Sequence, residues 1–165
     1  LGNVTTGSPM HPTRLTPDEQ YSHVSLFSLL SAPLLIGCPI EQLDAFTLNL
    51  LTNDEVIAID QDPLGKPARL IATENGVQIW LKSLADGSHA LGLFNVGDFG
   101  QTLQSDFRWD DEQPVNFTLD LTKLGLNGKY QLRDVWRQKD LGMFSGKFQT
   151  TIRHHGVVML KIIAN

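Results

Sequence analysis

The chain has 165 residues, 41% of them hydrophobic and 19% charged, with a formal net charge of −5. That composition suits one ordinary domain or two small ones and excludes a disordered or fibrous chain. Lys and Arg are scattered singly, so a nucleic acid or an anionic membrane surface has no basic stripe to hold it, and no apolar run approaches the roughly 18 residues of a membrane span.

Residues 1 to 15, with Gly2, Gly7, Pro9 and Pro12, read as a loop. At Thr16-Pro17-Asp18-Glu19 a helix should begin, since Thr16 can cap it, Pro17 can take the first helical position and Glu19 can reach back as a capping box. An apolar stripe of Val24, Phe27 and Leu30, with Leu26 and Leu29 beside it, continues until Pro33 stops the helix. Leu34-Leu35-Ile36 then reads as a strand apolar on both faces, the mark of a parallel sheet. Such a strand needs neighbours for its amides and carbonyls, and the preceding residues offer none, so the sheet is expected to be incomplete.

A second helix is predicted from about Glu41 to Leu51, with Leu43, Phe46, Leu50 and Leu51 inward, and a short third one after Thr52-Asn53-Asp54-Glu55. Asp62-Pro63-Leu64-Gly65 supplies a turn. From Ala68 onward the apolar period changes to two, predicting seven or eight strands. They are centred on residues 69–72, 77–81, 90–94, 101–103, 116–119, 130–133, 148–152 and 157–162, with turns such as Asn75-Gly76, Asp86-Gly87 and Asn127-Gly128 between them. This is the layout of an antiparallel sandwich. The boundary is placed between Pro63 and Pro67.

Candidates for chemistry are few. A glycosidase needs two acids facing one sugar, about 5 to 5.5 Å apart for retention or about 6.5 to 9.5 Å for inversion. Asp60 and Asp62 are the most tempting pair, but Asp62 precedes Pro63 in a turn, where Asp is favoured for bonding the backbone. Asp110-Asp111-Glu112 reads as a solvated loop, and Asp134, beside Arg133 and Arg137, as an ion-pair member. His154-His155 opens the last strand, where neighbours point to opposite faces and cannot readily share a metal. His11, His23 and His89 are far apart and Cys38 is the lone cysteine, so no metal or other cofactor is expected. Trp80 and Trp136 are expected to pack rather than stack on sugars, which leaves Trp109 as the open case. Asn3-Val4-Thr5 and Asn116-Phe117-Thr118 match the N-glycosylation pattern and point to a secretory route, that is, a secreted, periplasmic or lysosomal protein.

Taken together, Pro17-Asp18-Glu19-Gln20, Ser31 to Gly37 and Leu51-Thr52-Asn53-Asp54-Glu55-Val56-Ile57-Ala58-Ile59-Asp60-Gln61-Asp62-Pro63-Leu64-Gly65 closely resemble glycoside hydrolase family 27, the α-galactosidases and α-N-acetylgalactosaminidases. The resemblance continues through Val77-Gln78-Ile79-Trp80, Leu84-Ala85-Asp86-Gly87, Leu93-Phe94-Asn95, Arg133-Asp134-Val135-Trp136 and His155-Gly156. It implies a mainly β chain: residues 1–65 form the last helix-strand-helix part of an incomplete (β/α)8 barrel, with Leu34-Leu35-Ile36 as the eighth strand, and residues 66–165 form an antiparallel β-sandwich. The family's catalytic aspartates and galactose-holding residues lie upstream of what Leu1 matches, so no catalytic residue carries over. The resemblance implies a parent enzyme that removes terminal α-linked galactose or a related sugar by retention. In that enzyme His11 and Cys38, on the loops after strands seven and eight, are the substrate-binding candidates. A carbohydrate-binding or purely structural sandwich is the alternative, and exposed barrel elements are expected to promote self-association.

Overall fold

The computed structural model describes residues 3–4, 11–97 and 113–165, with the backbone alone at 3, 4 and 11. The expected strand at 101–103, Trp109 and Asp110-Asp111-Glu112 lie outside the described residues. A two-residue antiparallel pair, β1 (Asn3–Val4) with β2 (His11–Pro12), stands where only loop is expected. Helix α1 (Pro17–Leu29) begins as its capping box predicts, with the Thr16 side chain accepting from the Glu19 amide and the Glu19 carboxylate accepting from the Thr16 amide.

Residues 32–37 join none of the sheets. Leu35 is 90% exposed, and Leu34 and Ile36 are exposed beside it. The apolar strand expected here therefore has no ladder, for a physical reason already present in the sequence: a central strand exists only when flanking strands take its amides and carbonyls. The helix expected over 41–51 is divided into a 3-10 turn (Ile40–Gln42) and α2 (Ala45–Leu51). Asp44 makes the break by accepting from the Thr47 amide, which starts a new helix, and Leu43 sits half-buried between the pieces. Helix α3 (Asp54–Asp60) is capped by Asn53, whose side-chain oxygen accepts from the Val56 amide.

Among the described residues eight antiparallel strands follow: β3 (Arg69–Glu74), β4 (Val77–Ser83), β5 (His89–Asn95), β6 (Val115–Asp120), β7 (Lys129–Asp134), β8 (Lys139–Ser145), β9 (Lys147–Ile152) and β10 (Val157–Ala164). Six form a sheet in the order β3-β4-β5-β10-β7-β8, and β6 and β9 form a second. β8 is absent from the sequence-based expectation because it is an edge strand with almost every side chain exposed, so it carries no alternation.

Period-two alternation divides the large sheet's side chains between two cores. Leu91 and Leu93 of β5, Leu132 of β7, and Leu160 and Ile162 of β10 face Phe117 and Leu119 of β6 and Phe148 and Ile152 of β9, which closes the sandwich. On the opposite face Ala90, Phe94, Val135 and Met159 pack against Val24, Leu29, Leu50, Val56 and Ile59 of the helices. The molecule thus has three layers: helices, large sheet, small sheet. Each fully buried aliphatic side chain contributes about 1.5–3 kcal/mol of transfer free energy, so the helical layer is held by a core of its own.

Polar links run through the helix-to-sheet junction as well. Arg133 of β7 clasps Glu55 of α3 with two bonds, 2.8 Å from Nε and 2.6 Å from Nη2, and this pairing holds the guanidinium above its ordinary range. Asn53 donates to the carbonyls of Val135 and Trp136, at 3.1 and 3.4 Å. The Trp136 indole donates to Ser25 Oγ at 2.8 Å, and the Ser22 hydroxyl donates to the His155 carbonyl at 2.6 Å.

Candidate functional site

A cleft lies between α1, residues 33–38, α2 and α3, with a volume of about 390 Å³. Its walls are Val24, Phe27, Leu34, Leu50, Val56 and other apolar side chains, and its polar groups are His23, Cys38 and Gln61. His23 stacks on Phe27 with ring centroids 4.7 Å apart, and burial pushes its imidazole below the ordinary range, which favours the neutral form. Cys38 is a half-buried free thiol at the cleft edge. His11 is placed by its backbone alone, in β2.

Among the described residues that line it none is a carboxylic acid, whereas glycoside hydrolysis uses two. Asp62 is occupied in joining two turns. Its carboxylate accepts from the Leu64 amide at 3.0 Å and, through both oxygens, from the Ala85 amide at 3.1 and 3.0 Å, as the turn reading predicts. Asp60 differs. Burial raises its carboxyl above the ordinary range against the opposing charge of Lys82, and one carboxylate oxygen is buried with no hydrogen-bond partner. With Asp62 tied to backbone amides, the two acids do not make a pair that could flank a sugar.

The predicted ion pair at Asp134 is present: Arg137 donates to it at 2.8 Å from Nη1 and 3.0 Å from its amide, whereas Arg133 turns to Glu55 and Asp140. The expectation for His154-His155 is corrected. These residues lie in a turn ahead of β10, with His155 at φ 51°, so strand alternation does not separate them and their ring centroids are 3.6 Å apart. His155 Nδ1 lies 3.1 Å from Glu19 Oε1, so its partner is the start of α1. Trp80 and Trp136 are both partly buried against the helix-side core, as expected of packing residues.

Lys82 of β4 is the buried polar residue that the pattern of the sequence does not single out. Val77, Ile79 and Leu81 point into the sandwich, so Trp80 and Lys82 face the helices, and only knowing that this face is covered reveals the lysine as buried. Its ammonium donates to the carbonyls of Ser28 at 3.1 Å and Ile59 at 2.5 Å, and to Ser31 Oγ at 2.7 Å.

Comparison with known proteins gives this arrangement a context. The model of the "Alpha galactosidase C-terminal beta sandwich domain" family matches residues 74–162, more than half of the chain. Over 87% of its length the chain is 38% identical to the protein named "Probable alpha-galactosidase" from Dictyostelium discoideum, and over 88% it is 31% identical to the α-galactosidase of Cyamopsis tetragonoloba. It spans about a third of the length of these relatives, 35% and 32% respectively. Among solved structures, a family 27 β-L-arabinopyranosidase from Geobacillus stearothermophilus superposes over 99% of this chain and 35% of its own, with a TM-score of 0.83 at 27% identity.

Proposed function

The chain belongs to the α-galactosidase C-terminal β-sandwich family, as the C-terminal portion of a family 27 glycoside hydrolase, and from that membership we propose that it completes a retaining exo-α-galactosidase. In this reading residues 1–65 are the end of the (β/α)8 barrel, residues 66–165 are the sandwich, and residues 34–36 become the eighth barrel strand once neighbours flank them. The observation that carries it is the exposed apolar segment around Leu35, set beside helices that are themselves firmly bonded to the sheet. A flexible linker would not bury Leu29, Val56 and Ile59 or clasp Arg133.

The chain contributes scaffold and an entrance wall, and the acids that cleave the glycosidic bond come from the remainder of the barrel, since active sites of this fold are assembled from loops after several strands. His11 and the loop holding Cys38 are the contacts proposed for substrate. The sugar is selected elsewhere too: the arabinopyranosidase neighbour shares this fold while its name specifies a different sugar. Until the barrel is complete, the exposed segment favours association of copies with one another. A secretory route fits Asn116 and Thr118, both exposed on the outer side of β6 with Phe117 buried between them.

The test is an assay on a chromogenic α-galactoside, comparing this chain with one extended upstream through an Asp-rich barrel ending in an Asp-Met-Leu-like motif. Hydrolysis by the extended chain alone is expected. Hydrolysis by both chains, or by neither, would overturn the reading. The alternative, a carbohydrate-binding sandwich, rests on Trp109: glycan binding by this chain, abolished by Trp109→Ala, would favour it.

A further inference from the structure

We propose that Lys82 is a positioning residue through which the sandwich sets the course of residues 31–38, the stretch leading from α1 to the entrance loop. The last carbonyls of a helix lack intrahelical donors and carry the negative end of its dipole, so a cation placed there answers both needs. Lys82 does this for two helices at once, since Ser28 belongs to the last turn of α1 and Ile59 to the last turn of α3. An ammonium has three donors, and the third goes to Ser31, so all three are used. The lysine side chain is fully buried, where an unbonded ammonium would be strongly unfavourable.

Ser31 is where this bonding controls direction. It stands at φ 51°, in the left-handed region usually given to glycine after a helix. Its amide bonds back to the Ser28 carbonyl at 3.2 Å, and the Ala32 amide bonds to the Phe27 carbonyl at 3.0 Å, which completes a Schellman turn. A non-glycine residue there costs about 1–2 kcal/mol, and the bond from Lys82 to the serine hydroxyl is an interaction that glycine could not make. Because residues 32–37 have no sheet partner among the described residues, this turn is what specifies their departure from α1. The inference depends on the barrel-end reading only in calling the stretch an entrance wall. Its experiment involves no glycoside, so it can fail or succeed independently of the activity assay.

Cys38 is the chain's lone cysteine and lies at the far end of the stretch, which makes it a built-in reporter. A nitroxide on Cys38 and amide hydrogen exchange are measured in the unaltered chain and in Lys82→Met and Ser31→Ala. Expected are a more mobile nitroxide and at least about tenfold faster exchange of the Ser31 and Ala32 amides in both variants, with β6 and β9 amides unchanged. If Lys82→Met does not fold, Ser31→Ala decides the matter, because it removes one hydroxyl and leaves the lysine in place. An unchanged nitroxide signal and unchanged exchange of the Ser31 and Ala32 amides in a folded Ser31→Ala chain would overturn the proposal. So would acceleration spread equally over the sandwich strands.

Discussion

Gly92 of β5 lies directly beneath Leu29 of α1, so close that a Cβ built on the glycine would stand 2.5 Å from Leu29 Cδ1 and 2.6 Å from the Phe94 ring. Leu29 is fully buried, and its backbone carbonyl accepts from the Ala68 amide at 2.8 Å, so the helix cannot withdraw without breaking the junction with the sheet. Gly92→Ala is therefore expected to destabilise the chain by about 1–3 kcal/mol through overpacking. Urea unfolding checks this, and an unchanged midpoint would show that the helical layer can lift from the sheet.

The clasp between Arg133 and Glu55 is mostly shielded from water, with 27% and 24% of the two side chains exposed. Arg133→Lys keeps the charge but loses the paired geometry, and a lower urea-unfolding midpoint is expected. If Glu55→Gln combined with Arg133→Lys costs as much as the two single changes summed, the two residues are not coupled, which would contradict the geometry.

Acid should weaken the β4–β5 turn in a defined window. The Lys161 ammonium, 2.7 Å away, and Ser88 hold the Asp86 carboxyl down at about 2, from an ordinary value of 3.8. A carboxyl lowered in the folded state adds stability above its unfolded value, and that stability is lost as pH falls from about 4 toward 2. With 54% of the Asp86 side chain exposed, solvent screening reduces the effect to about 1 kcal/mol or less. Unfolding midpoints of Asp86→Asn should show a shallower decline across that window than those of the unaltered chain.

Leu35 projects into solvent from a segment that none of the sheets holds. Leu35→Lys should leave folding stability within about 0.5 kcal/mol of the original, since so little is buried there. The same change should reduce self-association as measured by sedimentation velocity. Equal association of both forms would place the contact elsewhere.

Much of this molecule is written locally. The capping box at Thr16 and Glu19, the turn at Asp62 and the alternation of Val77, Ile79 and Leu81 are short-range patterns, and the structure realises each of them. Residues 32–37 show the opposite case: the apolar run was legible, but strand formation depends on partners distant in sequence or outside the chain. β8 was illegible because an exposed edge strand has no buried face to impose a period. The turn at His155 was misread as strand because its left-handed φ is not encoded by a glycine.

Sequence alone determined the start of α1 and which strand residues share a face, because capping and alternation are set by neighbours a few residues apart, and its motifs carried the family resemblance. Only the tertiary structure decided that helices cover the outer face of the large sheet. From that follow the buried ammonium of Lys82 on two helix ends, the selection of glycine at position 92 and the bonds that Arg133 donates to Glu55, 78 residues away. Each of these depends on groups far apart in sequence meeting where water is excluded, and no local pattern records such a meeting.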